Sequence, residues 1–190
     1  WGSYIWQWFR EVQKGKIMVK QEVPDIFKIS ANKNPSDVVF TPDNISKDFV
    51  DRYDFYGKVL EPCKGMGAIL KYLPKDSEWC EIAYGVDFYE YKNKVDWLIT
   101  NPPYSDFDRF LDHAFEVADN VCLLVPFAKI FKSMGTMRKI YNYGGIVSAF
   151  VIGASKCGFP FGFPVGMIHI KKGYTGQTQI EVEQVDKKVR

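Results

Sequence analysis

Residues 95–104 read VDWLITNPPY, an apolar run followed directly by Asn101, Pro102, Pro103 and Tyr104. The continuous apolar run predicts a strand covered on both faces, as is typical of a parallel sheet. Proline fixes φ and disfavours helical geometry in the preceding residue, so the four residues after the strand should form a stiff, extended projection. Because reactive groups gather at the carboxyl ends of strands in open α/β sheets, this projection is a candidate functional site.

The rest of the chain alternates between strand and helix patterns, which predicts an α/β fold. Strands are predicted at residues 58–61, 78–82 and 121–125, and helices at residues 41–53, 68–72, 105–117 and 130–141. Thr41 and Pro42 have the pattern of an N-cap followed by proline at the first helical position, and Ser105 with Asp108 resembles a capping box. The last strands, at residues 146–152 and 165–171, flank a loop rich in Gly, Pro and Phe, which is typical of an antiparallel hairpin.

Composition limits the kind of protein that this chain can be. Its 190 residues suit one domain, and a net charge of +2 is not the strongly basic signature of a protein that coats nucleic acid. The four cysteines form no CxxC pair and only two histidines accompany them, so we expect no metal site and a reducing, cytoplasmic compartment. No stretch approaches the roughly 20 apolar residues that a membrane span requires.

A second pattern with chemical meaning is the sequence LEPCKGMG at residues 60–67. Gly65 and Gly67 follow a predicted strand, where they would let the chain turn tightly and bring backbone N–H groups close to a ligand. The stretch lacks the third glycine of GxGxxG, and it lacks the lysine followed by serine or threonine of a phosphate loop. A dinucleotide or a triphosphate is therefore the poorer interpretation of this turn.

The Asn-Pro-Pro-Tyr segment suits the positioning of an aromatic amine, which is a poor nucleophile because its lone pair is delocalised into the ring. The Asn101 side-chain oxygen and the Pro102 carbonyl could accept hydrogen bonds from both N–H groups. The nitrogen would then become more tetrahedral and direct its lone pair at an electrophilic methyl group, an effect of orientation and electrostatics. Tyr104 offers a face on which a planar base could stack.

Together these motifs resemble the amino-methyltransferases, in particular the adenine-N6 DNA methyltransferases and their compact phage-encoded members. The resemblance covers residues 36–173 in motif order. It implies a Rossmann-like α/β fold with a mostly parallel seven-stranded sheet and an antiparallel C-terminal hairpin. It also implies that Asn101, Pro102, Pro103 and Tyr104 are the catalytic motif, and that Tyr104 and Phe163 contact the target base.

The resemblance further implies that S-adenosylmethionine is the cofactor. Glu81 would receive its ribose hydroxyls, Asp87 its adenine amine, and Phe88 would pack on its adenine ring. The full set of cofactor-binding residues implied is Phe40, Thr41, Pro42, Glu61, Pro62, Cys63, Gly65, Gly67, Glu81, Asp87, Phe88 and Asn101. Lys64 departs from the small residue common at its loop position, and its ammonium either pairs with the cofactor carboxylate or points to solvent.

The implied substrate is an adenine flipped out of duplex DNA, with no metal required. The alternatives are the same chemistry on RNA or on a protein glutamine, and a noncatalytic cofactor-binding subunit. Residues 36–190 would form the methyltransferase domain. Residues 1–35 would be an extension, whose first 17 residues are a docking helix, a cloning remnant or a peripheral segment. Since this length leaves no room for a target-recognition domain, we expect relaxed or short-site specificity, or dependence on a partner or on flanking sequence.

Overall fold

The computed structural model describes residues 40–153, 157 and 164–183, so the expected N-terminal extension at residues 1–35 lies outside the described residues. Seven strands and four α-helices follow one another in this part of the chain, together with three short 3₁₀ helices. Their bounds are α1 Asp43–Asp51, β1 Val59–Glu61, β2 Glu78–Trp79, β3 Val95–Thr100, α2 Phe107–Val117, β4 Ala118–Pro126, α3 Phe127–Ile130, α4 Met134–Tyr143, β5 Gly144–Ile152, β6 Val165–Lys172 and β7 Gln179–Val182. The 3₁₀ helices are Leu70–Tyr72, Ile82–Tyr84 and Phe88–Glu90.

The strands form one sheet in the order β2-β1-β3-β4-β6-β5-β7. The pairs β1–β2, β1–β3, β3–β4 and β5–β7 are parallel, whereas β6 runs antiparallel to both of its neighbours, β4 and β5. The α/β fold with a mostly parallel seven-stranded sheet and an antiparallel hairpin is therefore confirmed. Strand β7 was not expected from the sequence.

Helices cover both faces of the sheet because the central strands are apolar on both sides. On one face, Leu98 of β3 joins a buried cluster with Phe110 and Leu111 of α2. On the other face, Ile99 of β3 joins a second cluster with Phe49 of α1. Alternate residues of the same strand thus enter different halves of the core, which fixes the direction in which β3 delivers the residues after it.

Two of the predicted helix starts are wrong by one or two residues. Helix α1 begins at Asp43 with Pro42 in the N-cap position, so Thr41 lies outside the helix and does not cap it. Helix α2 begins at Phe107 with Asp106 in the N-cap position, so Ser105 lies one residue before the N-cap that the sequence assigned to it. In both cases the residue expected as a cap belongs to a segment that is held by contacts distant in sequence.

Two further elements are shorter than predicted. The strand expected at residues 78–82 ends at Trp79, because Glu81 instead bridges to Val86 and its side chain accepts a hydrogen bond from the Ala83 N–H. The helix expected at residues 130–141 is divided into α3 and α4. Ser133 is extended there and caps α4 by accepting a hydrogen bond from the Thr136 N–H, which gives the second helix its own start.

Candidate active site

The glycine turn after β1 and the Asn-Pro-Pro-Tyr segment after β3 emerge at the same end of the sheet. Strands β1 and β3 are adjacent and parallel, with Leu60 opposite Leu98. Their carboxyl ends therefore lie side by side, and Pro62 and Asn101 begin the segments that leave them. The two candidate segments identified in the sequence thus lie at the same edge of the sheet.

The glycine turn has the left-handed backbone that its two glycines permit. Gly65 has φ +52° and Gly67 has φ +82°, values in the left-handed region that favours glycine. A Cβ atom built on Gly65 would have no neighbouring atom within 4 Å, and one on Gly67 would meet only the Lys64 side chain at 3.8 Å. The turn therefore borders open space in which a ligand could approach the backbone.

Glu81 holds this turn in place. Its Oε2 accepts a hydrogen bond of 2.7 Å from the Gly65 N–H, and its Oε1 accepts one of 3.0 Å from the Ala83 N–H. The carboxylate is almost fully buried, so the two bonds tie the turn after β1 to the 3₁₀ helix Ile82–Tyr84. Each oxygen has a second lone pair, which leaves it able to accept from a ligand hydroxyl as well.

Glu61, the last residue of β1, is a buried acid with an unmatched oxygen. It is 1% exposed, and its Oε2 has no hydrogen-bond partner among the described residues. Burial is the largest cause that raises its pKa well above the usual range, and the nearby Glu81 carboxylate adds to the effect. An acid of this kind, next to an open turn, is suited to a positively charged ligand group.

Asn101 is bound at both ends of its side-chain amide. Its Nδ2 donates to the Thr41 hydroxyl at 3.2 Å, which connects the end of β3 to the segment that precedes α1. Its Oδ1 accepts a bond of 2.8 Å from the Tyr104 hydroxyl. Although Thr41 does not cap α1, it is therefore brought to the candidate site by a contact that spans 60 residues of sequence.

Tyr104 does not present the open ring face expected of a base-stacking residue. Its side chain is buried in the cluster that includes Phe107 and Ile130, and its hydroxyl also lies 3.3 Å from the Leu124 carbonyl oxygen. Lys129 reaches over from α3 and donates to the Tyr104 backbone carbonyl at 2.6 Å.

Asp87 and Phe88 also serve local structure. Asp87 Oδ1 accepts a 2.9 Å bond from the Tyr89 N–H and so begins the 3₁₀ helix Phe88–Glu90. The Phe88 ring is buried against Phe110 and His113, at ring-centroid distances of 5.0 and 4.7 Å. The face of the Phe88 ring, on which the cofactor adenine was expected to pack, is thus largely covered by core side chains.

An apolar surface beside the glycine turn was not anticipated. Ile82 is 64% exposed, follows Glu81 directly and lies near the exposed Trp79 and Tyr84. The Lys64 ammonium lies 3.9 Å from the centroid of the Trp79 ring, so in this conformation it makes a cation–π contact. The sequence analysis missed this surface because it placed Ile82 in the strand predicted at residues 78–82, which ends at Trp79 in the structure.

The remaining predicted site residues are distributed as follows. Phe40, Thr41 and Pro42 are half-buried in the segment before α1, Pro62 is buried and Cys63 half-buried in the turn, and Pro102 is buried while Pro103 is half-buried. Phe163 lies outside the described residues. Among the residues that the structure describes, no cluster of three or more His, Cys, Asp and Glu side chains could hold a metal ion.

Comparison with solved structures identifies the fold. The chain resembles a protein from Pyrococcus horikoshii assigned as an RNA methyltransferase, with a TM-score of 0.55 and 19% identity over 72% of this chain and 87% of that one. It also resembles the modification subunit of a protein from Vibrio vulnificus assigned as a type I restriction enzyme, with a TM-score of 0.58 and 14% identity over 86% of this chain and 50% of that one.

A third similar structure is the methyltransferase subunit of a type I restriction-modification system from Streptococcus thermophilus, with a TM-score of 0.54 and 17% identity over 72% of this chain and 45% of that one. The chain thus spans about half the length of these two subunits. No family model and no curated protein matches the sequence. The neighbours establish the Rossmann-like fold of class I S-adenosylmethionine-dependent methyltransferases. Within the described residues, no helix is long and apolar enough to cross a membrane.

Proposed function

We propose that this chain is an S-adenosylmethionine-dependent methyltransferase that modifies the N6 amine of adenine in DNA. The observation that carries the proposal is the meeting of the Asn101–Tyr104 segment and the open Gly65–Gly67 turn at the ends of two adjacent parallel strands. One segment offers acceptors for an amine, and the other offers backbone N–H groups and free space for a cofactor. The methyltransferase fold of the neighbours supports the same chemistry.

The residues at the end of β1 fit the cofactor. S-adenosylmethionine supplies, when bound, a methyl group on a positively charged sulfur together with an α-ammonium group. Glu61 provides a buried carboxyl group whose Oε2 lacks a partner among the described residues, which suits a cation. The turn at Gly65 leaves room for close approach, and Glu81 retains lone pairs for ribose hydroxyls. Phe40, Thr41, Pro42, Pro62, Cys63 and Gly67 complete the proposed cofactor wall.

The proposed role of Asn101 and Pro102 is to orient the target amine. Asn101 Oδ1 and the Pro102 carbonyl would each accept one N–H, which directs the nitrogen lone pair along the path of methyl transfer. Pro103 keeps this segment extended, since its ring fixes φ and restrains Pro102. The Asp87 carboxylate has one oxygen in a bond to the Tyr89 N–H, and its other oxygen would accept from the adenine amine of the cofactor.

DNA is the proposed substrate because the Glu61-Pro62 turn and the Phe40-Thr41-Pro42 segment resemble those of the adenine-N6 DNA group. The similarity to a subunit of a restriction-modification system is consistent with this choice. RNA is the second candidate, favoured by the coverage of 87% of the Pyrococcus horikoshii protein. We include in the proposal a specificity partner, because the described domain contains a single sheet and no second folded unit for target recognition.

Labelled methyl transfer from S-adenosylmethionine to separate pools of DNA, RNA and protein tests the proposal. We expect label in DNA, recovered as N6-methyladenine after digestion. The test variant is Asn101→Ala, which should transfer less label. Its matched control is Asn142→Ala, which makes the same chemical change at an exposed position on α4. Label confined to RNA or to protein would show that the substrate is RNA or protein and not DNA. The absence of label from every pool, together with intact cofactor binding, would favour a noncatalytic subunit.

A further inference from the structure

The Tyr104 hydroxyl is placed where it can control the side chain of Asn101. It lies 2.8 Å from Asn101 Oδ1 and 3.3 Å from the Leu124 carbonyl oxygen, inside the core. A phenol has one hydrogen to donate, and the shorter distance assigns that hydrogen to Asn101. Burial raises the pKa of Tyr104 far above its ordinary value, so the hydroxyl remains a donor across the working pH range.

The orientation of an asparagine amide decides what it can bind. With its oxygen toward the substrate, Asn101 accepts a hydrogen bond from an amine; rotated by half a turn, it would present its own N–H groups to that amine and repel it. Thr41 receives the Nδ2 hydrogen at 3.2 Å, while Tyr104 donates to the oxygen at the other end. Both contacts are made by one orientation of the amide, with Nδ2 toward Thr41 and Oδ1 toward Tyr104.

We propose that Tyr104 is a positioning residue whose hydroxyl, together with that of Thr41, holds the Asn101 amide with its oxygen available to the target amine. This inference rests on the proposed function, because it assigns to Tyr104 a part in orienting the target amine. It replaces the role of base stacking that the sequence suggests for Tyr104, which requires an exposed ring. The 8% exposure of Tyr104 and its place in the core leave the hydroxyl as its functional group.

The substitution Tyr104→Phe separates the two roles, because phenylalanine keeps the stacking ring and removes only the hydroxyl. We expect kcat for methyl transfer to fall about tenfold, the effect of losing one hydrogen bond of ordinary strength. The KM for DNA and the Kd for S-adenosylhomocysteine should change little, since the hydroxyl touches neither ligand. Tyr141→Phe on the exposed face of α4 is the matched control. An unchanged kcat in Tyr104→Phe would overturn the inference.

Thr41 supplies a second pair of variants in case Tyr104→Phe is poorly folded. Thr41→Val removes the hydroxyl that accepts from Asn101 Nδ2, whereas Thr41→Ser keeps it. We expect Thr41→Val to lower kcat in the same way, and Thr41→Ser to turn over about tenfold faster than Thr41→Val. If valine and serine variants turn over equally fast, the amide is not held as inferred.

A spectroscopic measurement distinguishes failure of the inference from failure of the proposed function. In ¹H–¹⁵N spectra of the free protein, the side-chain NH₂ signals of Asn101 are identified by their loss in Asn101→Ala. We expect these signals to shift in Tyr104→Phe and in Thr41→Val, and to stay in place in Tyr141→Phe. Signals that do not move would overturn the positioning role. If the signals shift but the protein transfers no methyl group, the hydrogen-bond network would be supported and only the proposed activity would be rejected.

Discussion

The two ends of strand β3 both carry buried polar groups, and the groups differ in charge. At the amino end, Trp97 stacks on His169 with ring centroids 5.2 Å apart, and His169 Nε2 lies 3.0 Å from Asn120 Oδ1. Asn120 Nδ2 in turn donates one bond of 3.0 Å to the Asp96 carbonyl oxygen. Burial lowers the pKa of His169 to about 4, so its imidazole is neutral at pH 7.

At the carboxyl end, two carboxyl groups, Glu61 and Glu81, lie buried beside a turn that borders open space. Buried carboxyl groups are costly unless a partner matches them, and Glu61 has an oxygen without one among the described residues. Under the proposed function, the amino end of β3 serves stability, and its carboxyl end, beside these two carboxyl groups, serves ligand chemistry. Polar burial alone would then not mark a site, whereas a buried carboxyl group with an unmatched oxygen beside an open backbone turn would.

The largest expected effect that tests this contrast is on catalysis at the carboxyl end. Asn101→Ala should reduce the rate of methyl transfer about 10²- to 10³-fold, the effect of removing a preorganised polar group from a transition state. Its free energy of unfolding should change by less than about 1 kcal/mol, because Asn101 is only half-buried. Steady-state kinetics and urea unfolding measure the two quantities. A variant that turns over like the wild type would remove Asn101 from the mechanism.

The next largest effect concerns acid stability at the amino end. The pKa of His169 is depressed to about 4 in the folded state and is near 6.5 when unfolded, so the unfolded chain binds more protons between these values. The contribution of neutral His169 to the free energy of unfolding should be fully present above pH 6.5. The free energy of unfolding should then fall by about 3 kcal/mol as the pH drops toward 4. His169→Gln should lose this part of the slope. Unfolding curves at pH 8, 6 and 4.5 measure it, and parallel profiles for both proteins would contradict the assignment.

Asn120→Ala is the structural counterpart of Asn101→Ala, because it makes the same chemical change at the other end of the comparison. Asn120 is 2% exposed, and its loss would leave the Asp96 carbonyl without this donor. We expect the free energy of unfolding to fall by about 1–3 kcal/mol, the cost of an unsatisfied buried group. The kcat of the folded fraction should be retained. A large loss of kcat with normal stability would show that the two ends are not separate in function.

The smallest effect expected is that of Glu61→Gln, which sharpens the role of charge. Because the folded pKa of Glu61 is raised, the wild type loses stability as the pH rises from the unfolded value toward the folded one. The glutamine variant should be more stable than the wild type at pH 8, with a smaller difference at pH 5, while its affinity for S-adenosylmethionine falls. Calorimetry and thermal unfolding at both pH values test this. Unchanged cofactor affinity would place Glu61 outside the cofactor site.

The sequence predicted the elements that local patterns specify. The strand at Val95–Thr100 agrees to the residue with the expectation, and the helix predicted at residues 105–117 forms as α2 over Phe107–Val117. Strand β2 was overestimated because its length is set by pairing with β1 over two positions, which a local apolar run does not reveal. Strand β7 was missed because all four of its residues are exposed, so burial leaves little trace in its sequence.

The sequence analysis named the residues of the candidate site, but it did not predict the contacts among them. Motif spacing identified Asn101 and the glycine turn, and the adjacency of β1 and β3 follows from a parallel sheet. The bond between Thr41 and Asn101 joins residues 60 positions apart, and no local pattern specifies such a pair. The burial of Tyr104 likewise depends on how α2 and α3 pack around it, which is a property of the assembled fold.

The position of β6 in the sheet has a consequence for the order of folding. Strand β5 pairs only with β6 and β7, and both of these follow it in the chain. During synthesis, the nine residues of β5 therefore emerge before either neighbour exists, with their backbone groups unpaired. Once β6 inserts between β4 and β5, it closes both gaps in one step. Ribosome-bound chains that stop short of Val165 should accordingly be the species most dependent on chaperones, and lengthening them by the eight residues of β6 should release that dependence.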